Sequence, residues 1–93
     1  MDIAELKTFL AVAEERSFSR AAEKLYRTQP AVSIVIRKLE EWVGQSLFER
    51  GPRAVKLTDA GELLVEYAER ILNLREETRK GMEELQHLED RKS

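Results

Sequence analysis

The side chains that most often perform covalent or acid–base chemistry are scarce in this sequence. Cysteine is absent, and the only histidine, His87, lies near the end of the chain. Carboxylates occur as adjacent pairs such as Glu76-Glu77 and Glu83-Glu84, and neighbours on a helix point about 100° apart, which prevents a shared acid–base site. The sequence has no cluster with metal-ligand spacing and no glycine-rich phosphate loop. These observations argue against an enzyme and predict neither a metal nor a cofactor.

Basic side chains, by contrast, are concentrated in one part of the chain. Residues 16–58 carry nine basic and four acidic side chains, a net charge of +5, although the whole chain is at −2. Residues 59–93 carry six basic and ten acidic side chains, a net charge of −4. Because the local field rather than the net charge attracts a polyanion, residues 16–58 favour nucleic acid as a partner.

Two short helical patterns lie within this basic segment. The first covers about Ser19–Leu25 and the second about Gln29–Val43, with a break of three residues between them. Thr28 is a good N-cap for the second helix, and Pro30 falls in its first turn, where a missing N–H costs nothing. Gly44 follows at the usual position of a left-handed C-cap. Two helices joined in this way form a helix-turn-helix, whose second helix enters a DNA major groove.

The second helix has two faces when its residues are spaced at 100°. One face is apolar and is predicted to be buried: Val32, Val35, Ile36, Leu39, Trp42 and Val43. The opposite face is predicted to be exposed: Pro30, Ser33, Ile34, Arg37, Lys38 and Glu41. Ile34 has two interpretations, either an isolated exposed apolar residue that needs no explanation or a contact with a thymine methyl group.

The segments on either side complete a small domain. Asp2, with Glu5 three residues later, predicts a capping box at the start of a first helix that reaches Glu15. After Gly44, the alternation at residues 55–57 and the turn at Gly51-Pro52 predict a two-stranded hairpin, the wing of a winged helix-turn-helix.

A long final helix is predicted from Thr58, its N-cap, to about Asp90, on the order of 45 Å. Apolar or small residues recur along it at intervals of three and four: Leu64, Tyr67, Ile71, Leu74, Thr78, Gly81, Leu85 and Leu88. This heptad seam predicts pairing with the same helix of a second copy.

Together these patterns predict a mainly α fold. Residues 1–58 form a winged helix-turn-helix, with the helix-turn-helix at about 18–37 and the wing at about 47–57, and residues 59–93 form a linker or dimerisation helix. No apolar run approaches membrane-spanning length and no signal peptide precedes the domain, so we expect a cytoplasmic, nucleoid-associated protein without membrane contact.

Several stretches resemble the N-terminal segment of LysR-type transcriptional regulators. They include Leu6-Lys7-Thr8-Phe9, Phe18-Ser19-Arg20-Ala21-Ala22 and Thr28-Gln29-Pro30-Ala31-Val32-Ser33, followed by Leu39-Glu40, Leu47-Phe48-Glu49-Arg50 and Leu57-Thr58-Asp59-Ala60-Gly61. The resemblance covers residues 1 to about 75 in order. It implies sequence-specific binding of double-stranded operator DNA by a homodimer that has antiparallel linker helices and recognises an interrupted palindrome.

The resemblance and groove chemistry together assign roles to residues. The expected base contacts are Gln29, Pro30, Ser33 and Ile34. The expected backbone contacts are Thr28, Arg37, Lys38, Arg50 at the base of the wing and Arg53 at its tip. The expected dimerisation residues are Leu64, Tyr67, Ile71, Leu74, Leu85 and Leu88.

The sequence departs from the family pattern in two ways. Ile34 stands where family members usually carry a basic or polar residue, so the base preference is expected to differ. Family members also continue into an effector-binding domain that this sequence lacks, so we expect a DNA-binding fragment of a longer regulator, with a naturally short relative as the alternative. A small-molecule inducer would act only through that missing C-terminal domain.

A protein-interaction module is the alternative function, because winged helices and heptad seams also serve as docking surfaces. The basic segment at residues 16–58 speaks against it. A gel shift with generic duplex DNA at low and high salt would distinguish the two functions.

Overall fold

The computed structural model describes residues 1–49, 51 and 54–92. Its elements follow in the order α1 (Ile3–Glu15), α2 (Phe18–Lys24), α3 (Gln29–Val43), β1 (Phe48–Glu49), β2 (Lys56–Leu57) and α4 (Asp59–Lys92). The two strands are antiparallel, with Phe48 opposite Leu57 and Glu49 opposite Lys56. The predicted winged helix-turn-helix with a long C-terminal helix is confirmed, although each strand of the wing has only two residues.

The helices begin where their capping residues predict. Asp2 and Glu5 form the reciprocal capping box of α1, and each side chain accepts the backbone N–H of the other. Ser17 caps α2 by accepting the N–H of Arg20 at 3.1 Å. At the start of α4, the hydroxyl oxygen of Thr58 accepts the N–H of Gly61 at 3.0 Å.

One hydrophobic core joins α1, α2, α3, the wing and the first turns of α4. The largest fully buried side chains are Phe9, Leu6, Ile36, Leu39, Leu47, Val12 and Val32. The ring of Phe48 packs 5.4 Å from Phe9 and 5.9 Å from Phe18, centroid to centroid, which fixes the wing against the helices. Leu64 and Ala68 are buried in the same core, so the start of α4 belongs to the domain that it leaves.

The rest of α4 extends beyond this core. The chain measures 62 × 26 × 19 Å along its principal axes, and α4 runs unbroken for 34 residues. Residues 77–91 of α4 are all exposed. Along the described residues, no helix combines the length and apolar character that a membrane span requires.

Candidate nucleic-acid interface

The exposed face of α3 presents most of the side chains predicted to contact bases. Gln29 and Pro30 are exposed in the first turn, and Ser33 is partly buried one turn later. Ile34 follows with 51% of its surface exposed. Residues three and four apart on a helix are neighbours, so these side chains form one continuous surface. The structure therefore brings the four predicted base-contact residues together.

The buried face of α3 fixes the direction of this surface. Val32, Ile36 and Leu39 are at most 1% exposed. With these side chains in the core, rotation of α3 about its axis is set by packing and the polar face points outward. The cap is also formed as predicted, because the hydroxyl oxygen of Thr28 accepts the N–H of Ala31 at 3.3 Å. The positive end of the helix dipole therefore lies at the exposed end of α3.

One prediction for α3 is wrong. Trp42 was expected on the buried face, but 63% of its surface is exposed. The angular pattern places Trp42 on the apolar side correctly, but no described element covers that side in the last turn of α3. Trp42 instead lies on the rim of a groove between α3 and α4.

Two predicted backbone contacts, Arg37 and Lys38, are exposed on the next turn of α3. Neither forms an ion pair with any residue in the described part of the chain. An unpaired, hydrated cation can bind a phosphate without first losing an internal partner. The other two cations assigned to the DNA backbone, Arg50 and Arg53 in the wing, lie outside the described residues.

Lys24 is different from these cations, although it contributes to the charge of the basic segment. Its ammonium group lies 3.3 Å from a carboxylate oxygen of Glu14 and 3.6 Å from one of Glu15. The hydrogen bond to Glu14, with its charge, raises the pKa of Lys24 above its ordinary value. Lys24 therefore links α2 to α1 and is a weaker candidate for phosphate binding than Arg37.

Tyr26 is an exposed residue at this surface that the sequence patterns did not single out. It lies in the turn between α2 and α3, where 97% of its surface is exposed. Its backbone is left-handed, with φ of 56°. The signal in the sequence is a large aromatic residue within a three-residue turn, where glycine or asparagine is usual.

The seam on α4 divides into a packed part and an exposed part. Leu64 is only 8% exposed and belongs to the chain's own core, whereas Ile71 is partly buried. The remaining predicted dimerisation residues are about half exposed: Tyr67, Leu74, Leu85 and Leu88. An open apolar groove of about 410 Å³ lies beside the seam, lined among others by Met1, Trp42, Leu63 and Tyr67.

Among the described residues, no set of three or more His, Asp or Glu side chains is placed to hold a metal ion. His87 is exposed on the last turns of α4, far along the chain from the polar face of α3. The surface of α3 offers hydrogen bonds, apolar contacts and positive charge.

Residues 3–62 match the model of the bacterial regulatory helix-turn-helix proteins of the LysR family. The chain belongs to the LysR family. It is 51% identical over 90 residues to the HTH-type transcriptional regulator HdfR of Yersinia pestis. The aligned region covers 96% of this chain and 31% of HdfR. It is 47% identical over 85 residues to a probable RuBisCO transcriptional regulator of Cyanidioschyzon merolae, over 91% of this chain and 28% of the regulator.

A solved structure shows the same architecture. The DNA-binding domain of BenM in complex with benA site 1 DNA superposes with a TM-score of 0.86 and is 39% identical, covering 91% of this chain and 96% of that domain. The matched relatives are LysR-family transcriptional regulators rather than enzymes. This chain spans about a third of the length of HdfR.

Proposed function

We propose that this LysR-family chain binds double-stranded DNA with sequence specificity and forms the DNA-binding part of a transcriptional regulator that acts in the cytoplasm on the nucleoid. The observation that carries the proposal is the two-sided α3. Its aliphatic face is held in the core, and its other face presents polar side chains and the cations Arg37 and Lys38, which form no ion pair with the described residues. An α-helix with this presentation fits a major groove about 12 Å wide. The BenM domain, which has the same fold, was solved with DNA.

The proposed base contacts follow from groove chemistry. Gln29 can donate and accept together, which suits the N6 and N7 edge of adenine. Pro30 has a small side chain, so the N-terminal end of α3 can approach the bases closely. Ser33 can bond to a base edge, and Ile34 offers an apolar surface to a thymine methyl group. Specificity would then reside within little more than one turn of α3.

The proposed backbone contacts surround these residues. Arg37 and Lys38 lie one turn further along α3 and would bind phosphates at the wall of the groove. Thr28 accepts the Ala31 N–H with its oxygen, which leaves its hydroxyl hydrogen free to donate to a phosphate. Arg50 and Arg53 are proposed to bind the backbone or a narrow minor groove from the wing. These contacts fix the register of α3 and carry no sequence information.

We further propose a homodimer in which two copies of α4 pair antiparallel. The half-exposed leucines of the second half of α4 have no partner within the described chain and would be covered by such a pairing. The sequence favours one register, centred on Glu76. It places Leu74 opposite Thr78 of the second copy and Ile71 opposite Gly81 of the second copy, so that large residues face small ones.

The ends of the seam support the same register. Tyr67 would face Leu85 of the second copy, and Leu88 of the second copy would lie over the groove beside Trp42. Two recognition helices related by a dyad would then read an interrupted palindrome.

The binding proposal is tested by titrating a fluorescein-labelled duplex with the protein at several salt concentrations. We expect binding whose logarithmic affinity falls linearly with the logarithm of salt concentration, because phosphate contacts release counterions. Absence of binding at low salt would overturn the proposal and favour a protein-interaction module. Linear salt dependence with no preference for any sequence would leave DNA binding in place but overturn specificity.

A further inference from the structure

Tyr26 has a left-handed backbone conformation, which is energetically unfavourable for a tyrosine. The N–H of Tyr26 donates to the carbonyl of Glu23 at 3.2 Å, and the N–H of Arg27 donates to the carbonyl of Ala22 at 2.9 Å. This hydrogen-bond pair ends α2 in a Schellman motif, whose left-handed residue is usually glycine because a β-carbon is disfavoured there. A side chain at this position therefore reduces stability unless it packs or bonds elsewhere.

Among the residues that the structure describes, no contact compensates for this cost. The side chain of Tyr26 is 97% exposed, so it contributes almost nothing to the core. Its hydroxyl has no hydrogen-bond partner among the residues that the structure describes. Folding alone therefore gives no reason for a tyrosine in the turn.

Tyr26 lies close in the chain to the first turn of α3, which belongs to the proposed DNA surface. It precedes Thr28, the N-cap of α3, by two residues, and two residues of chain span at most about 7 Å. If the first turn of α3 lies in a major groove about 12 Å wide, the preceding turn lies at the edge of that groove, where the sugar–phosphate backbone runs. Tyrosine hydroxyls are among the groups that bind phosphate oxygens in such complexes.

We infer that Tyr26 is an additional DNA-backbone ligand, whose phenolic O–H donates to a phosphate oxygen beside the groove that α3 enters. This inference rests on the proposed DNA binding. It assigns the tyrosine a positioning role, since a phosphate contact sets the depth and angle of α3 without selecting a base. Because the phenol is neutral, the contact displaces no counterion, unlike the contacts proposed for Arg37 and Lys38.

Three variants test this inference, measured by anisotropy with a labelled duplex and by thermal unfolding. Tyr26→Phe keeps the ring and removes the donor, and we expect the affinity to fall by threefold or more with an unchanged salt slope. Tyr26→Gly should raise the melting temperature while lowering affinity, because glycine relieves the left-handed backbone and removes the ligand. Gln86→Ala, at an exposed polar residue of α4 outside both the seam and the proposed DNA surface, is the control and should leave affinity unchanged.

The possible results separate this inference from the proposed function. If the wild-type chain binds DNA and Tyr26→Phe binds within experimental error of it, the inference is overturned and the DNA-binding proposal stands. If Tyr26→Phe flattens the salt slope, the assignment of a neutral donor is wrong. If the wild type itself fails to bind any duplex, the proposed function fails, and this inference fails with it.

Discussion

Gly61, in the first turn of α4, lies so close to Leu47 that a β-carbon built on it would overlap the carbonyl oxygen of Leu47 and stand 2.8 Å from Cδ2 of Leu57. The same carbonyl accepts the N–H of Thr58 at 3.0 Å. The long helix therefore joins the wing through a backbone contact that leaves no room for a side chain. This contact fixes the direction in which α4 leaves the domain.

The first prediction concerns this contact. Gly61→Ala should lower the free energy of unfolding by about 1–3 kcal/mol, because the overlapping atom belongs to the backbone and cannot rotate aside. Urea unfolding followed by circular dichroism measures the change. Gly51→Ala is the matched control, since an added β-carbon there meets no atom within 4 Å, and its change should stay within about 0.5 kcal/mol. Equal stability of both variants would show that α4 can shift to accept the methyl group.

The second prediction concerns Arg37. Arg37→Ala should weaken binding to all duplexes to a similar degree and lower the slope of log affinity against log salt by about 1 per protomer. Anisotropy titrations across salt concentrations measure the slope. Arg75→Ala removes the same charge from α4, outside the proposed interface, and should leave the slope unchanged. An unchanged slope for Arg37→Ala would exclude this side chain as a phosphate ligand.

The third prediction concerns Ile34, which is 51% exposed on α3. Selection from a random duplex pool should give a thymine at one position of each half-site, and Ile34→Ala should lose that preference. Ile34→Arg should replace it with guanine, the base that arginine binds through O6 and N7. Melting temperatures should stay close to that of the wild type, because the side chain is not in the core. If the wild type, Ile34→Ala and Ile34→Arg select the same sites, Ile34 is an exposed residue that takes no part in base recognition.

The fourth prediction concerns the pairing of α4. Leu85→Asp should shift the chain from dimer to monomer in sedimentation, because it places a charge within the proposed apolar seam. Trp42 is the only tryptophan, so its emission should move to longer wavelength as the second copy leaves the groove. Gln86→Asp introduces the same charge about 100° around the helix and is the control. A dimer that survives Leu85→Asp would require another interface.

Capping and periodicity predicted most of the fold because they act over a few residues. Thr28 and Pro30 marked the start of α3, and the Asp2–Glu5 pair marked the start of α1, each through local hydrogen bonds. The buried stripe of α3 followed from the same periodicity. These features depend on residues that are close in the sequence, so a sequence pattern is enough to predict them.

Features that depend on distant residues were not available from the patterns. Trp42 has the correct angle for burial, but its exposure is decided by the absence of a covering element among the described residues. The heptad pattern likewise predicted Leu64 as a dimerisation residue, but Leu64 is buried in the chain's own core. Tyr26 was missed because its left-handed backbone belongs to a turn, where periodicity gives no signal.

The affinity of Gln29→Ala for the duplex that the wild-type chain selects tests the central claim most directly. Loss of a bidentate contact to adenine should cost about 1–3 kcal/mol, roughly five- to 150-fold in affinity, with no change in melting temperature. Gln45→Ala, at an exposed glutamine just beyond α3, should bind as the wild type does. Unchanged affinity for Gln29→Ala, or a fall in affinity that follows a fall in melting temperature, would contradict the assignment of α3 as the helix that reads DNA.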